Sequence, residues 1–389
     1  MSWNQKVVKV KNKHSILKTI IERAPLSRAD ISQHIGLTKG TVSTIVNELL
    51  KANLCYETGP GESSGGRRPV MLLFNERAGY SIGIDLGVNY ILGVLTDLCG
   101  TIIEEKMITI TKKTYEDILI LLKEVIQFLR HLAPESPYGV VGIGIGVPGI
   151  VTKDGKILHA PNLGWKNISL KQDIEKDFAL PVTIDNEANA GAYGEKRFGA
   201  GKDFENLIYI SAGMGIGVGF MLNNELYRGA EGFAGEMGHM IIEVNGEPCS
   251  CGSRGCWELY ASEKALLEQA TKDLTAVQPE QTLEELITQA GANDEIKAIF
   301  KQVGEKLGIG INNIINSFNP QQIIIGNRLA LAENLLLNPI LQVVEDRTLK
   351  HNQSNLQITF SDLASHSSAL GISAYAIENF IDTEMYTEL

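Results

Sequence analysis

The sequence predicts an α/β fold behind a small winged helix-turn-helix at the N-terminus. Three observations lead there. Residues 1–75 carry 11 Lys and Arg against 5 Asp and Glu, whereas the whole chain of 389 residues has a net charge of −11. The body alternates apolar strands with amphipathic helices. Between Gly235 and Glu258 a histidine and several cysteines crowd into one loop-rich segment.

The head reads as three short helices between residues 14 and 54. HSILKTIIERA places Ile16, Leu17, Ile20 and Ile21 on one helical face and stops before Pro25. In SRADISQHIGL, Ser27 and Asp30 have the spacing of a capping box, and Gly36 supplies the turn. Thr38 is placed to cap the third helix, in which Val42, Ile45, Val46 and Leu49 form the inward stripe. Thr38, Lys39, Thr41, Ser43, Thr44 and Asn47 stay outside that stripe. Hydroxyls, an amide and a lysine at a helix start suit phosphate and base-edge contacts in a major groove, so double-stranded DNA is the expected partner. Two β-like runs then flank a Gly/Ser loop holding Arg67 and Arg68, read as a wing that reaches the DNA backbone or minor groove. A plain linker is the alternative for that loop.

From Glu76 the pattern changes. YSIGIDLGVNYILGVLTD alternates like strands joined by a tight turn at Asp85-Leu86-Gly87, a helix is expected from Tyr115 to about Leu132, and VVGIGIGVPGIV reads as a buried strand. Pro148 to Leu170 looks loop-rich. VTIDNEANA is a short strand that delivers Asp185, Asn186 and Glu187 to a helix start; polar groups at a strand's carboxyl end are where α/β folds place ligands, and N-capping is the competing reading. A glycine-rich turn follows at Gly213, Gly215, Gly217 and Gly219, a weak phosphate signal when alone. The remainder is mainly helical, with QQIIIGN as one more buried strand and a last helix from about Ser367 to Phe380.

The segment GEMGHMIIEVNGEPCSCGSRGCWE holds the most informative chemistry. His239, Cys249, Cys251 and Cys256 are the donors that a closed, structural zinc site takes. A disulfide is the alternative, but three cysteines within eight residues of a chain without export signals favour metal. Glu236 and Glu258 flank the set, where a metal loop would hold both toward one ligand. His14, His34, His131, His159, His351 and His366 lack ligand-like company and read as surface or capping residues. There is no apolar run of membrane-spanning length and no apolar signal core, so the expected compartment is the cytoplasm, with no membrane partner.

In order and spacing, GEMGH, CSCGSRGCWE, PNLGW and DNEANAGAYGE, behind a helix-turn-helix with GGRRP, resemble the ROK family of repressors and sugar kinases, and most closely its xylose-responsive repressors. The likeness runs from about Lys11 to the C-terminus. It implies a two-lobed, actin-like fold of the sugar kinase and ribonuclease H-like kind. The expected division is 1–75 for DNA binding, 76–185 for the first lobe with residues 367–389 packed back on it, and 186–366 for the second lobe with the metal site. It also implies zinc on His239, Cys249, Cys251 and Cys256. Sugar contacts carry over onto Asn186, Glu187, Glu236, His239 and Glu258, with Asn162 as a further candidate. Carboxylates and an amide meet vicinal hydroxyls well, and His239 has a second ring nitrogen to offer a sugar.

Departures from the kinase pattern separate the two main readings. Glu187 stands where kinases of the family use aspartate as base; its extra methylene displaces the carboxylate by ~1 Å, which can cost ~100-fold. The first phosphate turn reads Asp85-Leu86-Gly87-Val88-Asn89, Met214 replaces a threonine, and no glycine pair follows Gly326. The expectation is therefore a sugar-responsive repressor with no catalytic residue and no ATP requirement, released from operator DNA by a monosaccharide. The resemblance names D-xylose, and glucose could meet the same groups. The same resemblance suggests a homodimer or tetramer. A residual or bifunctional kinase acting on a hexose with ATP is the alternative; a structural DNA-bridging protein leaves the polar residues unexplained.

Overall fold

The structure, a computed structural model, describes residues 3–60, 69–111, 114–274, 277–278 and 281–386. The head contains helices α1 (Trp3–Arg23), α2 (Arg28–Ile35) and α3 (Lys39–Lys51). The first helix begins well ahead of His14. Val10 extends the buried stripe of Ile16, Leu17 and Ile20, and Lys9 pairs with Glu48 at 2.7 Å, so tertiary contacts sustain a lysine-rich stretch with little apolar pattern of its own. Ser27 and Asp30 form the capping box of α2, Gly36 ends it at φ 73°, and Thr38 caps α3. Leu26–Ser27 and Cys55–Pro60 pair with the central strand Val70–Phe74. The hairpin tip with Arg67 and Arg68 lies outside the described residues.

Behind the head stand two five-stranded sheets. The first has the spatial order Val182–Asn186, Val140–Val147, Tyr80–Leu86, Tyr90–Asp97, Ile102–Thr109, parallel in the first three and antiparallel beyond. The second runs Glu225–Leu226, Ile216–Leu222, Leu207–Ala212, Gln322–Gly326, Gln357–Phe360. Counted along the chain, each sheet has the same order, 3-2-1-4-5.

Local sequence explains the close packing. In IGI (residues 82–84) and GIGIG (residues 142–146) the isoleucines are buried while the glycines face the C-terminal helix His366–Tyr386. A Cβ on Gly83 would lie 2.0 Å from the Ala369 carbonyl oxygen, and one on Gly144 2.3 Å from that of Ile372. Only glycine permits such an approach. The second sheet is covered by the helix Asp294–Phe318, whose buried stripe includes Ile296, Phe300, Val303, Leu307, Ile311 and Ile314.

Three further features differ from the sequence reading. VVGIGIGVPGIV is broken at Gly149, which sits at φ 113°, into strands Val140–Val147 and Ile150–Val151. Pro148 to Leu170 is not mostly loop: Ile150–Val151, Ile157–Ala160 and Trp165–Ile168 form a small sheet that buries Trp165. The helix Glu333–Arg347 carries Pro339 in its interior, which hides it from periodicity; the proline rests against Gly304 of the long helix.

Candidate functional site

A cavity of about 380 Å³ opens between the two sheets and is lined from both. Asn162, Asn186, Glu187, Glu236, His239 and Glu258 all line it. Asn186 ends a strand of the first sheet and caps the helix Glu187–Arg197: its Oδ1 accepts from the amides of Ala188 and Asn189. Its Nδ2 donates to the Gly149 carbonyl at 3.0 Å and to Glu187 Oε2 at 3.1 Å. Capping thus engages the Asn186 oxygen, and its amide group orients the Glu187 carboxylate.

The glycine-rich turn makes room for these side chains. A Cβ on Gly215 would sit 3.0 Å from Glu258 Oε2 and 3.6 Å from Asn162 Nδ2, and one on Gly217 would sit 3.0 Å from Glu187 Oε1. Gly217 and Gly219 lie within the returning strand Ile216–Leu222 rather than in the turn.

Donor atoms of His239, Cys249, Cys251 and Cys256 all fall within 4.8 Å of one another. Cys251 Sγ and Cys256 Sγ are 3.7 Å apart, and His239 Nδ1 is 3.6 Å from Cys249 Sγ. Tetrahedral zinc with Zn–S near 2.3 Å implies sulfur separations of roughly 3.8 Å, so the donor set fits the ion. All three cysteines are free of disulfides. The other ring nitrogen of His239, Nε2, faces Glu236 Oε2 at 4.0 Å, toward the cavity. Glu258 Oε1 lies 3.5 Å from His239 Nδ1 and 3.4 Å from Cys249 Sγ, so this carboxylate borders both metal donors and cavity.

The loop is anchored from behind. Trp257 is fully buried, its ring against Gly310 and its Nε1 donating to the Lys306 carbonyl at 2.9 Å. Gly255, at φ 70°, lets the chain pass where a Cβ would be 1.7 Å from the Glu243 carbonyl.

Burial governs the electrostatics of the opposite wall. Glu187 is pushed up to about 8, first by burial and then by Asp85 and Glu236. Asp85 is raised to about 6 by burial, partly offset by the Tyr90 hydroxyl, which donates to its Oδ2 at 2.5 Å. Burial also raises Glu236, against the pull of His239.

Several participants escaped the sequence reading. His159 lines the cavity, whereas the sequence reads it as a surface or capping residue; the unrecognised small sheet puts it there. Tyr90 closes over Gly87, where a Cβ would be 2.4 Å from its ring. Asn327 donates to Ser211 Oγ at 3.0 Å from a backbone at φ 61°, and Arg328 bonds Glu263 and Glu284. Tyr90 follows the Asp85 turn, and Asn327 ends an apolar run at the strand's carboxyl end; position alone could have flagged both. Among the other histidines, His14 meets Asp382, His34 meets Arg23 and His366 meets Glu105.

On the head, Thr38, Lys39, Thr44 and Asn47 are exposed and Thr41 and Ser43 half-buried. Asn47 Oδ1 accepts from Arg28 at 3.2 Å, which adds a cation at the start of α2 to this face.

With this geometry, comparison with known proteins is decisive. The ROK family description matches residues 81–379, and a winged helix-turn-helix DNA-binding description matches residues 11–54. The chain belongs to the ROK family. A xylose repressor of Bacillus spizizenii is 48% identical across 97% of this chain and 98% of its own length. One of Caldicellulosiruptor bescii is 40% identical across 98% and 99%. Among solved structures, a ROK family transcriptional regulator, homologue of Escherichia coli Mlc, is 30% identical and covers 98% of this chain and 100% of its own at a TM-score of 0.83. A ROK glucokinase of Streptomyces griseus, in complex with glucose and AMPPNP, is 28% identical and covers 77% of this chain and 100% of its own at a TM-score of 0.71. The ROK fold therefore spans the two lobes, and the head is the winged helix-turn-helix that the sequence predicts. Among the described residues no helix is long and apolar enough to cross a membrane.

Proposed function

We propose that the protein is a transcriptional repressor that holds operator DNA and releases it when a monosaccharide, D-xylose, enters the interlobe cavity. The observation that carries this reading is the union, in one chain, of an exposed recognition helix with a cavity lined by Asn162, Asn186, Glu187, Glu236, His239 and Glu258. The full-length likeness to xylose repressors supports the choice of sugar. Glu236, Glu258 and His239 Nε2 are the proposed hydroxyl partners, with Glu187 as a protonated donor and Asn162 beside Glu258. Asn186 acts mainly by orienting Glu187.

Zinc on His239, Cys249, Cys251 and Cys256 would leave no coordination position open, and its proposed part is structural: it braces the loop that carries Glu236 and Glu258. Thr38, Lys39, Thr41, Ser43, Thr44 and Asn47 form the proposed DNA surface, with the arginines of the wing. The working division is 1–75, 76–185 with 367–389, and 186–366. A homodimer, in the cytoplasm where operators lie, would set two recognition helices ~34 Å or a multiple apart, and sugar would alter that spacing.

We further propose that the protein is not an enzyme. Tyr90 over Gly87 and Asn327 beside Gly213 narrow the places where family kinases receive phosphate and nucleoside, which supports that view. The likeness to the Streptomyces glucokinase favours residual kinase activity as the second reading.

Gel-shift titration across a sugar panel tests the proposal. D-Xylose should weaken operator affinity, and Mg-ATP with sugar should give no turnover above background. An operator affinity indifferent to every sugar would sink the repressor reading, and sugar-dependent ADP release would favour the kinase.

A further inference from the structure

The C-terminal helix touches both ends of the molecule. Its first turn packs on the helix that leads away from the cavity: Ser367 Oγ donates to Glu195 Oε1 at 2.6 Å, and Ser361 donates to the same fully buried carboxylate. Glu195 belongs to the helix Glu187–Arg197, which starts in the cavity wall. The two helices meet backbone to backbone, since a Cβ on Gly371 would lie 1.8 Å from the Ala190 carbonyl and one on Gly194 2.1 Å from that of Ser367. Contacts this close leave no soft side-chain layer to absorb movement.

At the other end, Ile377, Ile381 and Met385 are buried in the same apolar cluster as Ile16, Leu17, Ile20, Val46 and Leu49 of the DNA-binding head. Polar contacts join them too: His14 meets Asp382 at 2.6 Å, and Tyr138 donates to Glu384 at 3.2 Å and to the Ala52 carbonyl at 2.8 Å. One helix of 21 residues, roughly 30 Å long, thus packs both on the helix that starts in the cavity wall and into the core of the reading head.

Arg228 connects this helix to the loop that carries Glu236. Arg228 belongs to the second lobe and reaches across to Asp185 of the first, with Nη2 at 2.7 Å and Nε at 3.1 Å from Oδ2. Asp185 in turn holds the Asn186 amide at 2.8 Å. The guanidinium lies 5.3 Å from the centre of the Tyr375 ring on the C-terminal helix, and Tyr375 stacks on Tyr193 of the cavity helix. The Arg228 carbonyl accepts from Ala234 N at 3.1 Å, two residues before Glu236. A shift of the Glu236 loop therefore pulls on Arg228, and Arg228 has partners on both lobes and on the helix.

We propose that the Arg228–Asp185–Tyr375 cluster and the C-terminal helix form the coupling element that transmits sugar occupancy to the DNA-binding head. Arg228 is a positioning residue and touches no sugar. The proposal rests on the repressor reading, and it predicts that binding at either end survives when the link is cut.

The test uses the full chain with D-xylose and operator DNA. An Asp185→Asn/Arg228→Gln double variant replaces the ion pair by neutral amides, and Tyr375→Leu removes only the ring. In the wild type, sugar should lower operator affinity about tenfold or more; in either variant the effect should fall to about twofold or less, with sugar affinity and sugar-free operator affinity each within about threefold of wild type. If one variant fails to fold, the other decides. Hydrogen exchange of residues 377–386 is followed in parallel, with a sugar-induced change expected in wild type alone.

A retained wild-type sugar effect in a folded variant overturns the proposal. So does loss of sugar binding itself, because the cluster would then belong to the ligand site. If sugar fails to release operator even from wild type, the repressor reading fails. The exchange measurement then still judges the coupling, which is refuted if bound sugar leaves residues 377–386 unchanged.

Discussion

The two walls of the cavity are built on different principles. On one, Glu236, His239 and Glu258 hang from a loop tied together by a His/Cys donor cluster and pinned by buried Trp257. On the other, Asp85, Tyr90 and Glu187 grow directly from strand ends and a helix start, and burial holds both carboxyls above their ordinary range. The first wall is a local device, its loop gathered around donors from residues close together in the chain. The second is part of the sheet core and pays a desolvation cost for each carboxyl it encloses. The cavity-lining side chains and what holds them rigid are therefore separable on the His/Cys side and inseparable on the sheet side.

Breaking the metal side should give the largest effect. Cys256→Ser or chelation should remove zinc and unfold the loop, a loss on the order of 10 kcal/mol in the binding energy that holds it. Metal analysis should fall from one ion per chain to none, and the sugar-induced shift in melting temperature should vanish. Operator binding, carried by a head whose core includes no residue of that loop, should fail later along a chelator titration.

The sheet side should answer to pH instead. Native Glu187 keeps its proton up to about 8, whereas an ordinary glutamate releases it near 4.5. The folded state thus binds more protons than the unfolded one between those values. Its contribution is greatest below about 4.5 and is lost as pH rises toward 8. Glu187→Gln should remove that slope and stabilise the protein at pH 8 relative to wild type, by up to about 4 kcal/mol. Urea unfolding of both proteins at pH 5, 6.5 and 8 measures it; parallel pH profiles would refute the buried, protonated state.

A smaller effect should follow from removing one hydroxyl partner. Glu236→Ala should weaken D-xylose binding by about 2 kcal/mol, roughly thirtyfold, with operator affinity unchanged. Calorimetry and gel shift on the same preparation check both halves. Simultaneous loss of DNA binding would assign Glu236 a folding role.

Much of the head was legible because its signals are local. The Ser27/Asp30 box, the Gly36 turn, the Thr38 cap and the inward stripe of α3 each involve residues within a few positions of one another. The His/Cys donor cluster was legible for the same reason, its cysteines lying in one short loop. The start of α1, the small sheet that carries His159 and the helix containing Pro339 were not, because their stability comes from partners far along the chain. The twin 3-2-1-4-5 order of the sheets leaves no short-period repeat in the residues, since topology constrains which strands pair but not which apolar residues fill them.

By itself the sequence determined the chemistry available: a basic reading head, a thiol and imidazole cluster, and carboxylates at strand ends. Tertiary structure decided which of those groups share a cavity, how strongly burial shifts them, and that Arg228 joins both lobes to a helix embedded in the head. The physical reason is range. Caps, turns and ligand spacing act over a few residues, whereas desolvation and close packing depend on what the rest of the chain brings alongside.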